Sequence, residues 1–398
     1  MIRAVGVAAF AFVVLASAAA CAAGPAPQPV AATAPAPAPA PGPGAASSAP
    51  TPGSTSGAAL AGPTPSTSEP DPRRPITLAF GGDVNFEGRV AALLDGGDGL
   101  ADLRPVLAGA DVAMVNLETA ITDRGRPQPK IYHFRTTPQA LVTLQKAGVD
   151  GVSMANNHAV DFGVDGLTDT LVAQAASPIP VIGIGRNAAQ AFAPAVFTVR
   201  GVTIAVIAST QVDDFTIHSF PATDSRAGVA GNLVTTRLLA AVRAATARYD
   251  VVAVFLHWGS DYTSCPDGAQ TRTAAALEDA GADVVVGGHA HRVQGAGWHG
   301  RTYVAYGLGN FVWLNTRSAV DTHSGVLTLT IDPVAAAAQG AADPVSRSGR
   351  PTVVTGASWA PLVVDDDGVP RAPDASTSAR LHDAWADARG CAPLSATP

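Results

Sequence analysis

From residue 76 onward the chain alternates short, continuous apolar runs with segments of helical period, and this alternation predicts the fold. Runs at 76–80, 112–115, 151–154, 180–183, 202–208, 251–256, 284–286 and 302–306 read as strands buried on both faces. Between them, 138–147, 163–175, 235–248 and 270–280 carry the spacing of amphipathic helices. Strands covered by helices make an α/β protein. Residues 197–199 with 203–204, and 326–330 with 352–355, look like antiparallel partners, which predicts a mixed sheet or two packed sheets. The Ala/Gly/Ser-rich stretch 335–350 reads as a loop, and 376–390 as a last helix ending at Cys391.

The first 75 residues have a different texture. Residues 1–21 place Arg3 before an apolar run and close on Ser17-Ala18-Ala19-Ala20 before Cys21, the layout of a secretory signal. The run is too short to cross a bilayer core of roughly 30 Å as a helix. Small residues before a cysteine resemble the processing site of bacterial lipoproteins, with Cys21 as the lipidated first residue. Cleavage after an A-x-A site, giving a secreted protein, and an uncleaved anchor are the alternatives. Each exports the chain. Residues 22–75 are Pro, Ala, Gly, Ser and Thr with almost nothing to bury, so they read as a disordered tether between membrane and domain.

Composition narrows the function. The formal charge is −7, with 25 basic against 32 acidic residues and no basic run longer than Arg73-Arg74, so the footprint of a nucleic-acid binder is missing. After Cys21 only Cys265 and Cys391 remain, an even pair in an oxidising compartment, which predicts a disulfide holding the C-terminal segment.

Metal-binding side chains recur at the ends of the apolar runs: Asp83, then Asn116 and Glu118, Asn156-Asn157-His158, His257, and His289-Ala290-His291. Strand ends are where α/β sheets bind ligands. Oxygen and imidazole donors without thiolate suit Mn, Fe, Zn or Mg rather than a structural cysteine site. A carboxylate-bridged pair of ions clamps an in-line displacement, and Glu118 is the candidate bridge. An extended His-x-His would send both imidazoles to one side, with Gly287 and Gly288 making room. Asn156 and Asn310 serve equally as turn caps, while Asp161 and Asp165 suit a helix N-terminus.

Taken in order, Gly82-Asp83-Val84, Asn116-Leu117-Glu118, Asn156-Asn157-His158 with Asp161 and Gly163 following, His257-Trp258-Gly259 with Asp261-Tyr262, Gly281-Ala282-Asp283 leading into Gly288-His289-Ala290-His291, and Leu308-Gly309-Asn310-Phe311 resemble the CapA family of poly-γ-glutamate capsule synthesis proteins. That family is similar to the calcineurin-like metallophosphoesterases. The resemblance runs from about Ile76 to Phe311 and implies a two-sheet sandwich flanked by helices; the expected domain spans 76–332, with 333–350 a low-complexity loop and 351–398 completing it. It further implies that Asp83 and His291 bind a first metal, Asn157, His257 and His289 a second, Glu118 both, and that His158 is the general acid. Asn85 stands where the superfamily usually has histidine. Asn85, Asn116, Asn156, Trp258, Tyr262 and Asn310 are the expected substrate contacts. The implied partners are an anionic envelope polymer or a phosphorylated small molecule, with capsule-synthesis proteins and a membrane reached through the lipid anchor. Two functions follow: a metal-dependent hydrolase, or a non-catalytic, metal-containing accessory that binds the polymer.

Overall fold

The computed structural model describes residues 71, 73–96, 98–314, 316–340 and 352–398. The expected signal, the lipidation at Cys21 and the tether up to residue 70 lie outside the described residues. Two sheets face each other. The first is eight-stranded and runs Pro370–Arg371, Val354–Val364, His323–Ile331, Ile76–Val84, Val112–Leu117, Gly151–Ser153, Val181–Ile182, with Asn310–Val312 paired to the end of Ile76–Val84. The second is six-stranded, in the order Ala296–His299, Thr302–Ala305, Val284–His289, Val251–Trp258, Val202–Thr210, Ala195–Val199. Both are mixed. Their central strands are parallel, and the expected antiparallel partners appear as Phe197 opposite Ile204 and Thr330 opposite Gly356.

Period-two alternation explains the layers. Leu78, Phe80 and Met114 of the first sheet meet Ile204, Val206, Phe255 and Val286 of the second in one buried cluster. Ala79, Ala113 and Val152 point the other way, onto helices Gln139–Lys146 and Gly163–Ala176. Ala205, Val254, Leu256 and Val285 likewise meet helices Thr236–Thr246 and Gly268–Asp279. The result is a helix–sheet–sheet–helix sandwich. Each sheet is covered on both faces, which is why its strands read as unbroken apolar runs.

The loop expected at 333–350 is corrected in its first part: Pro333–Gly340 is a helix. Asp332 Oδ1 accepts from the Val334 and Ala335 N–H groups, which caps the start. Alanine has the strongest helix preference, so this run propagates once capped. Residues 341–350 lie outside the described residues. The final helix is Ala375–Ala388, as expected. Among the described residues no helix is long and apolar enough to cross a membrane.

Candidate metal centre

The register of Ile76–Val84 against Val112–Leu117 shifts between Phe80 and Asp83. That irregularity reverses the alternation, so Asp83 faces the second sheet rather than the helices beside Ala79. Asn116 continues the phase of Met114, and His257 that of Phe255. Five strand ends from two sheets thus bring their polar side chains to one edge of the sandwich.

Asp83 is fully buried. Its Oδ1 accepts from Asn116 Nδ2 at 2.9 Å and its Oδ2 from the His289 N–H at 2.8 Å. A Cβ at Gly288 would stand 2.3 Å from Asp83 Oδ1, so the glycine leaves the space that this carboxylate fills. Glu118 lies 3.2 Å from His257 Nε2, yet neither of its oxygens accepts a hydrogen bond. Burial, and then the Asp83 charge, push its carboxyl well above the ordinary range. His257 Nε2 faces Asn157 Oδ1 at 2.8 Å, and His257 Nδ1 lies 3.1 Å from Asn116 Nδ2. Burial takes His257 down to about 4 and His289 well below the usual imidazole value, so both rings are neutral at neutral pH.

His289 and His291 adopt left-handed backbone, with φ of 85° and 52°. The expected extended His-x-His is therefore corrected: this turn, costly for side chains other than glycine, aims both rings at the edge. His289 Nδ1 is buried without a partner. His291 Nδ1 lies 2.9 Å from Asn310 Oδ1, and its ring packs on Trp313 at 4.5 Å.

Ligand atoms of Glu118, His257 and His289 lie within 4.8 Å of one another, as do those of Asp83, Glu118 and His291, and of Asp261, His289 and His291. A buried carboxylate without donors, ringed by neutral imidazoles and a second carboxylate, is costly alone and fits a divalent cation.

His158 sits beside this cluster, its Nε2 3.8 Å from Glu118. Its Nδ1 is 2.6 Å from Asp161 Oδ2. Burial holds the ring near a pKa of about 4, against the opposing charge of Asp161. With Nδ1–H directed at Asp161, the neutral ring presents Nε2 as an acceptor.

Of the six expected substrate contacts, only Tyr262 lines the open cleft beside the cluster, whose volume is about 640 Å³. Trp258 is corrected to core: alternation turns it away from His257, its indole N–H donates to the Tyr306 carbonyl at 2.8 Å, and it is fully enclosed. Asn116, Asn156 and Asn310 are also enclosed and bond inward. Asn156 Nδ2 donates to Asn116 Oδ1 and to the Leu117 carbonyl, and Asn310 Nδ2 to the Asp321 carbonyl. They hold the candidate ligands and loops in place. Asn85 is buried and accepts from the Glu87 N–H at 3.2 Å.

The model of the family described as bacterial capsule synthesis protein PGA_cap matches residues 77–314, more than half of the chain. The chain belongs to this family. Among curated relatives, a PGA biosynthesis protein CapA of Bacillus subtilis is 29% identical over 61% of this chain and 66% of its own. A capsule biosynthesis protein CapA of Bacillus anthracis is 28% identical over 54% of each. A probable polyglutamine synthesis accessory protein of Mycobacterium tuberculosis is 30% identical over 51% of this chain and 55% of its own. The chain thus spans between about half and two thirds of these relatives. Among solved structures, a Mycoplasma pneumoniae phosphatase aligns with a TM-score of 0.45 at 13% identity, over 74% of this chain and 95% of that one. A putative 5′-nucleotidase of Staphylococcus aureus gives 0.42 at 16%, over 79% and 58%. At such scores these likenesses add nothing to the reading of the site.

The family motifs account for the cluster but leave the roles of several residues around it unread. Asp161, expected to favour a helix N-terminus, is fully buried against His158, the Phe134 N–H and Lys130 Nζ. Its spacing three residues after His158 was the available signal. Lys130, Asp214, Trp313 and Arg317 reach the cleft from loops without periodicity. Cys265 and Cys391 come together with Cα atoms 5.4 Å apart, a separation suited to a disulfide.

Proposed function

We propose that this PGA_cap protein is an exported envelope protein with a divalent-metal, phosphoesterase-type hydrolase site, acting in the synthesis or processing of a poly-γ-glutamate-like capsule polymer. Glu118 carries the metal reading: full burial with both oxygens unpaired has a physical reason if a cation sits there. The capsule reading rests on family membership and the names of the relatives. Export and anchoring through Cys21 at the outer face of the membrane rest on the leader.

In the proposed site Asp83 and His291 would hold one ion and Asn157, His257 and His289 another, with Glu118 available to both. Its presence in two of the ligand groups supports that bridging place. Bound divalent cations supply Lewis-acid charge for attack on a phosphoryl or acyl centre. The chain's own residues orient and move protons. Asn116 and Asn310 fix the rings of His257 and His291, and Asp161 fixes His158. His158 is neutral in the free protein, so it protonates a leaving group only after taking up a proton. Asp161 and an arriving anion both favour that uptake.

The second reading, a non-catalytic accessory that binds polymer through its metal, is favoured by Asn85, which offers an amide where the superfamily offers imidazole. Elemental analysis followed by turnover on a phosphomonoester and phosphodiester panel separates the two. For the hydrolase, His158→Ala keeps its metal and loses roughly 10²–10⁴-fold in turnover. His289→Ala loses metal, and excess ion restores part of the activity. Wild type that retains no metal under any ion supply removes both readings. Anchoring is tested by Cys21→Ser, which should release the protein from the membrane; unchanged retention refutes lipidation.

A further inference from the structure

Among the described residues, one cation on the wall of the cleft beside the candidate ligands stands outside any ion pair. Lys130 is spent: its Nζ lies 2.9 Å from Asp161 and 3.4 Å from Asp214. Arg317 is held differently. Its guanidinium lies 4.1 Å over the Tyr262 ring, and its Nη2 donates to Tyr132 Oη at 3.3 Å. Among the described residues it forms no ion pair with a carboxylate, and it is exposed on the cleft.

Tyr262 is itself fixed. Its backbone is left-handed, with φ of 60°, and its N–H donates to the Ala290 carbonyl at 2.8 Å. The ring also meets His291, with centroids 5.7 Å apart. A continuous wall therefore runs from the ligand His291 through Tyr262 to Arg317 and Tyr132. The lengths 5.7 and 4.1 Å bound the separation of Arg317 from His291. Up to three α-linked amino-acid units, at roughly 3.3–3.6 Å each when extended, span it, or one or two γ-linked ones, whose repeat has two more backbone bonds.

A stacked guanidinium keeps its N–H edges free and pre-oriented for a planar anion. Asp214 and Asp261 lie in the same cleft and oppose a second negative charge there. A singly charged carboxylate is accommodated more readily than a dianionic phosphate. Trp313 on the same wall offers an apolar contact to the stem.

Resting on the proposed function above, we infer that Arg317, clamped by Tyr262 and Tyr132, is a specificity subsite for a carboxylate carried one or two residue lengths from the reacting group. A short γ-linked glutamyl chain, with its free α-carboxylates, has that chemistry.

The test is calorimetric titration of the full, metal-supplied chain with a γ-linked glutamate tetramer and with its amidated counterpart. Wild type should prefer the acid form by roughly ten- to a hundred-fold, the usual worth of a charge-assisted contact. Arg317→Gln should erase the preference and Arg317→Lys retain part of it, with metal content equal in all three. A preference that survives Arg317→Gln, or its absence from the wild type, overturns the subsite. Metal content is read separately. Protein that binds metal without the preference leaves the metal reading standing, while a preference that depends on Arg317 in metal-free protein keeps the subsite and removes that reading.

Discussion

Replacing Glu118 with glutamine should shift stability in opposite directions in chelator and in metal, because the side chain is an unsatisfied buried carboxyl in one state and a proposed ligand in the other. In the metal-free chain both oxygens are buried without a donor. Burial and the Asp83 charge raise the carboxyl well above its ordinary value of 4.5. The sign follows from linkage: where the folded pKa is raised, the unfolded chain gives up its proton first, so stability falls as pH rises above 4.5 and levels off past the folded pKa. Paired carboxylates do the reverse. Glu118→Gln removes this downward slope. An unsatisfied buried polar group costs ~1–3 kcal/mol, so in EDTA at pH 7 the variant should gain at least about 1 kcal/mol, a rise of roughly 2–4 °C in Tm.

With Mn²⁺ at a hundred times its Kd, wild type should gain about 2.7 kcal/mol. The variant, lacking a donor common to two of the ligand groups, should keep little of that. Scanning calorimetry from pH 4 to pH 8, in EDTA and in Mn²⁺, reads both effects. A variant less stable than wild type in EDTA, or one that keeps the whole metal-induced shift, would falsify the argument.

Three further outcomes are expected. Asp161→Asn should leave metal content unchanged and lower turnover roughly 10²-fold or more, since the Nδ1 contact that fixes the His158 ring is lost; unchanged turnover would show that Asp161 only supports the loop. Asn310→Ala should weaken metal affinity roughly 10–100-fold through the freed His291 ring, measured by competition with a chelating dye; equal affinities would rule this out. Unfolded, unreduced protein should show no titratable thiol from Cys265 or Cys391, and reduction should lower stability by at most about 4–5 kcal/mol for a loop of this length; two free thiols would exclude the bond.

The apolar runs and helical periods were sufficient for the layers, because a sheet covered on both faces leaves a continuous signal in sequence. What they could not reveal was parity. Counting by twos from Phe80 puts Asp83 on the helix side, and only the register shift in that strand turns it inward. Counting by twos from His257 does place Trp258 outside the site, so that error was avoidable: alternation should have outweighed the motif that joins the two residues. The asparagines were harder. An amide beside a ligand can face solvent or its neighbour, and Asn116, Asn156 and Asn310 all face neighbours, a choice set by partners 11 to 141 positions away in sequence.

The rest of the cleft was hidden for a related reason. Lys130, Asp214 and Arg317 come from loops, whose side chains are placed by tertiary contacts rather than by a period. Asp161 shows how such a residue gains its role. It ends the loop that carries His158, accepts from the Phe134 N–H at 2.7 Å, and pairs with Lys130. Two separate segments are thereby fixed to one carboxylate. That shared anchor ties the 124–134 loop, which also carries Tyr132, to the ring beside the ligands. His158, the proposed proton-handling residue, and the proposed carboxylate subsite are thus set by one connected group of contacts, so a change at Asp161 should be felt at both.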